Sequence, residues 1–178
     1  MKPNQFKTDF QPLLLECQPK SIGEIGTHNG RTASQMCRFI LSSYNYDITY
    51  TGYDAFDTIS PEQSEYEEIN GKGLGKEEQA RRWLAKVCKE FPNRLEYTLV
   101  KGMTTDTLKP IKFDFVYIDA GHSYESVLWD YQNVKESKMI VFDDAWMDSV
   151  KQFLKDHIEP NYEIQYGKDR DIAIIRNY

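Results

Sequence analysis

Apolar residues in this chain follow two different periods. Short runs, SIGEIG (21–26), ITYTGYD (48–54), LEYTLVKG (95–102), DFVYIDA (114–120) and MIVFDDA (139–145), read as strands that are apolar on both faces. Between them apolar positions recur at helical spacing. Ala33, Met36, Cys37, Ile40, Leu41 and Tyr44 share one face, and Ala80, Trp83, Leu84, Val87, Cys88 and Phe91 form the clearest stripe. Tyr124, Val127, Leu128 and Tyr131 make a third stripe; Val150, Phe153, Leu154 and Ile158 make a fourth, stopped by Pro160. Strands alternating with amphipathic helices predict an α/β fold with a mostly parallel sheet covered on both sides. The last two runs, YEIQYGK and DIAIIRN, are separated by only a few turn residues, so they predict an antiparallel C-terminal β-hairpin after five βα units.

Composition narrows the function classes. A length of 178 residues suits a single domain over 1–178, and 40% hydrophobic with 28% charged residues is an ordinary soluble balance. No apolar run approaches the roughly 20 residues of a membrane span, and Leu13 to Leu15 are too short for a signal-peptide core. A cytoplasmic protein with no membrane partner is expected. Cys17, Cys37 and Cys88 contain no C-x-x-C pair and read as reduced thiols, Cys37 and Cys88 on apolar helical faces. The net charge of −6, with no basic run beyond Arg81-Arg82, leaves no footprint for nucleic acid and favours a small or neutral substrate.

One segment breaks the strand–helix pattern. DTISPEQSEYEEINGKGLG, residues 57–75, carries five acids between Asp57 and Glu68, followed by Gly71, Gly73 and Gly75. Loops of this length are usually functional or disordered; a mobile lid is expected, with a plain disordered insertion the alternative. Its GKGLGK is not a phosphate loop, because Asn70 stands at the first glycine position and Glu77 at the hydroxyl position.

Candidate chemistry gathers where the strands end. The first strand closes on Glu24 and Gly26 and leads through Asn29 and Gly30 straight into a helix. Ligands of open α/β sheets bind on that rim, where glycines let backbone approach and a helix start offers free N–H groups. E24-I-G26-T-H-N-G30 resembles motif I of class I S-adenosylmethionine-dependent methyltransferases, in its EIGTxxG form. His28 stands where many relatives carry glycine. The resemblance implies a Rossmann-like three-layer sandwich and donor binding by Glu24, Gly26, Thr27, His28, Asn29 and Gly30. It also implies ribose binding by Asp54 at the second strand end and adenine contact at Gly102 and Met103. A carboxylate suits vicinal hydroxyls because it accepts from both; a simple helix cap is the lesser alternative for Asp54.

FDFVYIDAGHSYESVLWDY and MIVFDDAW resemble the IDGxHxYExVxxD and VxxDD stretches of a small-molecule O-methyltransferase subgroup that includes sugar enzymes. Sugar and catechol relatives place a divalent cation at the corresponding acids. The resemblance therefore implies a metal triad of Asp119, Asp143 and Asp144 holding Mg²⁺ or a similar ion, with Asp119 also facing donor and chemistry. Clustered carboxylates need such a charge between them, and oxygen ligands suit it. Asp144 as a cap of the following helix is the other reading, with Asp148 a competing cap. Sugar relatives carry an acidic base two positions after the first metal ligand, where this chain has Gly121; the base is then His122, or His122 merely starts the next helix. The resemblance covers roughly residues 20 to 178, leaving 1–20 outside it. It implies an S-adenosylmethionine-dependent methyltransferase acting on a hydroxyl of a small-molecule acceptor, assisted by a divalent cation. A metal-independent enzyme with another acceptor atom and a non-catalytic S-adenosylmethionine-binding module are the alternatives. The short chain leaves an open site that a homodimer would cover.

Overall fold

Seven strands form one sheet in the computed structural model, which describes residues 5–58, 74–167 and 171–177. They are β1 (Ser21–Ile25), β2 (Ile48–Asp54), β3 (Leu95–Lys101), β4 (Phe115–Ile118), β5 (Met139–Phe142), β6 (Gln165–Tyr166) and β7 (Ala173–Arg176), in the spatial order β3-β2-β1-β4-β5-β7-β6. The first five are mutually parallel, β7 runs antiparallel to β5, and β6 pairs antiparallel with β7. The expected α/β class and terminal hairpin are therefore present, with β6 reduced to two residues.

The chain reverses its spatial direction at β1: β1, β2 and β3 step one way, then β4 and β5 the other. That reversal opens a crevice at the carboxyl ends of β1 and β4, where an α/β sheet binds its ligands.

Period-two alternation explains why every residue of β4 and β5 is buried. Phe115, Tyr117, Met139 and Val141 face one core with Ile22 and Tyr50. That side is covered by α1 (Gln11–Cys17), α2 (Arg31–Ser43) and α3 (Glu77–Glu90). Val116, Ile118, Ile140 and Phe142 face the opposite core, under α5 (Tyr124–Val134) and α6 (Asp148–Phe153). A short α4 (Thr104–Thr107) follows β3. The four helical stripes read from the sequence correspond to α2, α3, α5 and α6, the last continuing through a wider π-type turn, Leu154–Ile158.

The N-terminal segment, outside the family resemblance, packs into the first core. A π-type turn, Phe6–Phe10, leads into α1, which carries Pro12 in its first turn where no N–H is missed. Phe10, Leu13 and Leu14 are buried, and the Phe10 ring meets Tyr117 edge-on at 4.8 Å. Arg176 on β7 clasps Glu16 through two hydrogen bonds of 2.6 and 2.9 Å, tying α1 to the far half of the sheet. Residues 59–73 of the expected lid lie outside the described residues. On its far side, the Lys76 N–H donates to Asn29 Oδ1 at 3.0 Å, so the chain re-enters beside the β1–α2 loop.

Because Leu14 is fully enclosed, Leu14→Ala should cost about 2–5 kcal/mol of stability, the range for an aliphatic deletion that leaves a cavity. Urea unfolding followed by circular dichroism checks this. A loss within the range of ordinary surface changes would mean that α1 is an appendage, not part of the core.

Candidate functional site

β1 ends with a carboxylate under cover. Glu24 is 1% exposed and accepts a close hydrogen bond from the Tyr50 hydroxyl on β2, which also lies 3.4 Å from Thr27 Oγ1. Opposite Glu24 in the strand register stands Gly52, where a Cβ would fall 2.3 Å from Thr27 Oγ1 and 2.7 Å from Tyr50 Oη. Only a missing side chain leaves room for these groups to meet. Burial, offset by the Tyr50 hydrogen bond and reinforced by the charges of Asp119 and Asp54, pushes the Glu24 carboxyl well above the ordinary range.

The turn after β1 is pinned by its neighbours. The Gly26 N–H donates to the Tyr53 carbonyl at 2.8 Å, and at φ 96 a Cβ there would sit 2.0 Å from the Asp119 carbonyl oxygen. Glycine is thus required both for conformation and for close approach. Asp54, ending β2, accepts from the backbone N–H groups of His28 (2.7 Å) and Phe56 (2.6 Å). Both donors belong to non-glycine residues at φ 50, so this carboxylate holds two strained turns in place. A carboxylate has about four lone-pair positions, which leaves capacity for a further pair of donors. Gly102 donates to the Asp54 carbonyl at 3.0 Å, and Met103 beside it is 36% exposed on the same edge.

Past β4 and β5 the acids separate. Asp119 donates its N–H to the Ile25 carbonyl at 2.7 Å, and Asp143 its own to Ile118 at 2.9 Å, so both begin where the ladder ends. The buried Tyr117 hydroxyl lies 2.6 Å from Asp143 Oδ2 and 3.3 Å from Asp119 Oδ2. Asp144 adopts a left-handed conformation, φ 49. Its Oδ2 lies 2.8 Å from His122 Nε2, and its Oδ1 accepts from the Trp146 indole at 3.1 Å. Among the described residues, Asp119, His122 and Asp144 bring one ligand atom each within 4.8 Å of one another.

This grouping differs from the three-aspartate triad read from the sequence. His122 stands in the cluster, and Asp143, two positions after Val141 and on the same face, meets Tyr117 instead, while the left-handed Asp144 bonds His122. Burial, and after it the charge of Asp144, raises the Asp143 carboxyl against the opposing Tyr117 bond. Asp54 does cap the short turn Phe56–Thr58 through the Phe56 N–H, whereas no side-chain cap of α6 by Asp144 or Asp148 is present among the described residues. Ser123 caps α5, its hydroxyl accepting from the Ser126 N–H at 3.1 Å, and α6 begins at Asp148 without a side-chain cap.

Comparison with known proteins bears on this rim directly. A family model described as a methyltransferase domain matches residues 24–145, more than half of the chain. The chain belongs to the methyltransferase domain family. The match runs from Glu24 to Ala145 and so encloses every strand end described above except the hairpin. No curated protein matches the methyltransferase by sequence alone. Solved structures share its fold: the O-methyltransferase NovP, at 19% identity, TM-score 0.70, 94% of this chain and 79% of that one. An O-methyltransferase from Bacillus cereus in complex with SAH aligns at 18% identity and TM-score 0.62, over 99% and 82%. CalS11, a TDP-rhamnose 3'-O-methyltransferase in calicheamicin biosynthesis, aligns at 16% identity and TM-score 0.57, over 99% and 80%.

Sequence reasoning passed over three residues of the methyltransferase rim: Tyr50, Tyr117 and Trp146. Tyr117 precedes Asp119 by two positions, and side chains two apart on a strand share a face; that spacing was the available signal. Asp130 on α5 was noted only as part of a motif. It is fully buried, neither carboxylate oxygen has a hydrogen-bond partner of good geometry, and burial, eased by nearby Thr104, raises it from 3.8 to about 7.

An acid whose folded pKa lies above its unfolded value stabilises the fold below the unfolded value and loses that contribution as pH rises through the folded one. Stability of the wild-type chain should therefore fall between about pH 4 and pH 7, with Glu24 contributing in the same sense. Asp130→Asn should flatten that decline, read as urea midpoints across pH. An unchanged slope would mean that Asp130 ionises without cost.

Proposed function

We propose that this protein transfers a methyl group from S-adenosylmethionine to a hydroxyl of a small-molecule acceptor, with a divalent cation at Asp119, His122 and Asp144. The observation that carries the reading is one edge of the sheet on which the β1 turn, Asp54, Gly102–Met103 and the Asp–His–Asp cluster all meet, inside the matched family domain. The O-methyltransferases among the structural relatives support the choice of acceptor atom.

The donor's ribose hydroxyls suit the open lone pairs of Asp54, and its adenine suits the exposed edge at Met103. The β1 turn spends most of its own N–H groups on the Tyr53 and Thr27 carbonyls and on Asp54, so the first turn of α2 is what offers free N–H groups to the donor's carboxylate. Glu24 acts through the loop: bonded to Tyr50 and buried, it fixes the turn's position. The sulfonium supplies an activated methyl, so the chain's own task is to bring the acceptor oxygen in line with it and exclude competing nucleophiles.

Two carboxylates and one imidazole fit a divalent ion that tolerates nitrogen, Mn²⁺ more readily than Mg²⁺. Such an ion would lower the acceptor hydroxyl's pKa. A second reading is favoured by one distance: with Asp144 Oδ2 at 2.8 Å from His122 Nε2, the pair has the geometry of a base held by an orienting acid. His122 would then take the acceptor's proton with no metal present.

Calorimetry should detect binding of S-adenosylhomocysteine (SAH), and Asp54→Ala should weaken it about tenfold or more, the cost of losing a charged acceptor. Binding of NADH with none of SAH would overturn the donor assignment.

A screen of hydroxylated acceptors with Mg²⁺, Mn²⁺ or chelator separates the two mechanisms. Metal-dependent turnover abolished by Asp119→Asn supports the cation. Turnover that survives chelator and disappears in His122→Ala supports the base.

A further inference from the structure

Among the described residues two acids are buried, Glu24 and Asp130, and the proposed reaction uses only the first. Asp130 lies on α5 where that helix meets the loop between β3 and α4. Two adjacent α5 residues address Thr104, the first residue of α4. The Trp129 indole N–H donates to the Thr104 carbonyl at 3.1 Å, and the Thr104 hydroxyl lies beside the Asp130 carboxylate. One turn further along α5, the Asn133 carbonyl accepts from the Ile111 N–H at 2.8 Å, so the segment is held again beyond α4. Thr104 directly follows the edge assigned to the donor's adenine. There the Gly102 N–H is bound to the Asp54 carbonyl, and the Thr107 hydroxyl donates to the Met103 carbonyl at 2.9 Å. A continuous set of bonds therefore joins the donor edge to α5.

We infer that Trp129 and Asp130 are positioning residues for the donor, a clamp that holds the Gly102–Met103 edge in place for the adenine and closes fully only while Asp130 carries a proton. The inference deepens the donor reading and rests on it. Towards α5 the sheet turns Val116 and Ile118, and α6 turns Val150 and Phe153, all apolar, while Asp106 of α4 is exposed. Among the described residues, burial and the Thr104 hydroxyl alone therefore set how readily Asp130 ionises, at about 7. Once ionised, the carboxylate lacks water, and one hydroxyl does not replace it. The least costly relief is to admit water by moving α4, a single turn of four residues, away from α5. Met103 would move with it. Donor and proton thus favour the same closed state, and binding of either strengthens binding of the other. Donor affinity is full below the midpoint of Asp130 and declines as pH rises through it.

Two measurements on the whole chain test this. Calorimetry with SAH should show affinity falling about three- to tenfold between about pH 6 and pH 8.5. Asp130→Asn, neutral and of the same shape, should remove Asp130's share of that decline. Thr104→Val, lacking the hydroxyl that eases ionisation, should move it to higher pH. Glu24, His28 and His122 remain in every variant, so the differences between profiles belong to the clamp. The second measurement needs no donor. The three tryptophans, Trp83, Trp129 and Trp146, give three indole N–H signals in a nitrogen-15 correlation spectrum, and Trp129→Phe assigns the one bound to Thr104. That signal should titrate with the midpoint of Asp130 in the wild type, at higher pH in Thr104→Val, and not at all in Asp130→Asn. If Asp130→Asn does not fold, the displaced midpoints of Thr104→Val carry the test. An SAH profile and a Trp129 signal that both variants leave unchanged overturn the inference while leaving the donor reading intact. A titrating Trp129 signal with no SAH binding at any pH overturns the donor reading, and with it the clamp's role in positioning adenine.

Discussion

A carboxylate at the end of a buried strand loses its water on folding, and unless a donor takes the water's place it must carry a proton or destabilise the fold. The sheet meets this demand from neighbouring strands. Tyr50 on β2 donates to Glu24 on β1, and Tyr117 on β4 donates to Asp143 beyond β5. Burial and the nearby acids hold both phenols well above their ordinary value, so they keep the proton they donate. Each phenol reaches up from inside the core to an acid at the rim. Packing below and electrostatics above are therefore one arrangement.

That coupling gives the N-terminal segment a part in the rim. Phe10 packs edge-on against the Tyr117 ring, whose hydroxyl lies between Asp119 and Asp143. A segment with no motif of its own thus stands two contacts away from the acid cluster. The same face is completed by α2 and α3, while the opposite face under α5 and α6 holds Asp130 without a good partner. The two faces differ in kind: one supports the site's acids with hydroxyls, and the other carries an acid that burial itself keeps near neutrality.

Strand positions were legible because β4 and β5 are apolar throughout and end abruptly in Asp119 and Asp143–Asp144. The hairpin was legible because too few residues separate its strands for a helix. The β1 turn could be read from Gly26 and Gly30, whose φ values of 96 and 74 call for glycine. What the sequence concealed was direction. Nothing in "DDAW" says that Asp144 turns left-handed and bonds His122 and the Trp146 indole. The start of the chain was opaque for a different reason: FQPLLLEC is too short for a helical stripe to declare itself, and α1 exists because Phe10, Leu13 and Leu14 find a sheet to cover.

The left-handed Asp144 restricts what can replace it. At φ 49 an L-residue with a Cβ is strained unless its side chain can bond locally, a condition that aspartate and asparagine meet and alanine does not. Removing the charge with alanine would also release the turn, freeing the Trp146 ring from its anchor and the His122 imidazole from its partner together. Asparagine keeps the backbone and the oxygen that the indole needs, and removes only the charge. At this position the smaller side chain is the larger perturbation.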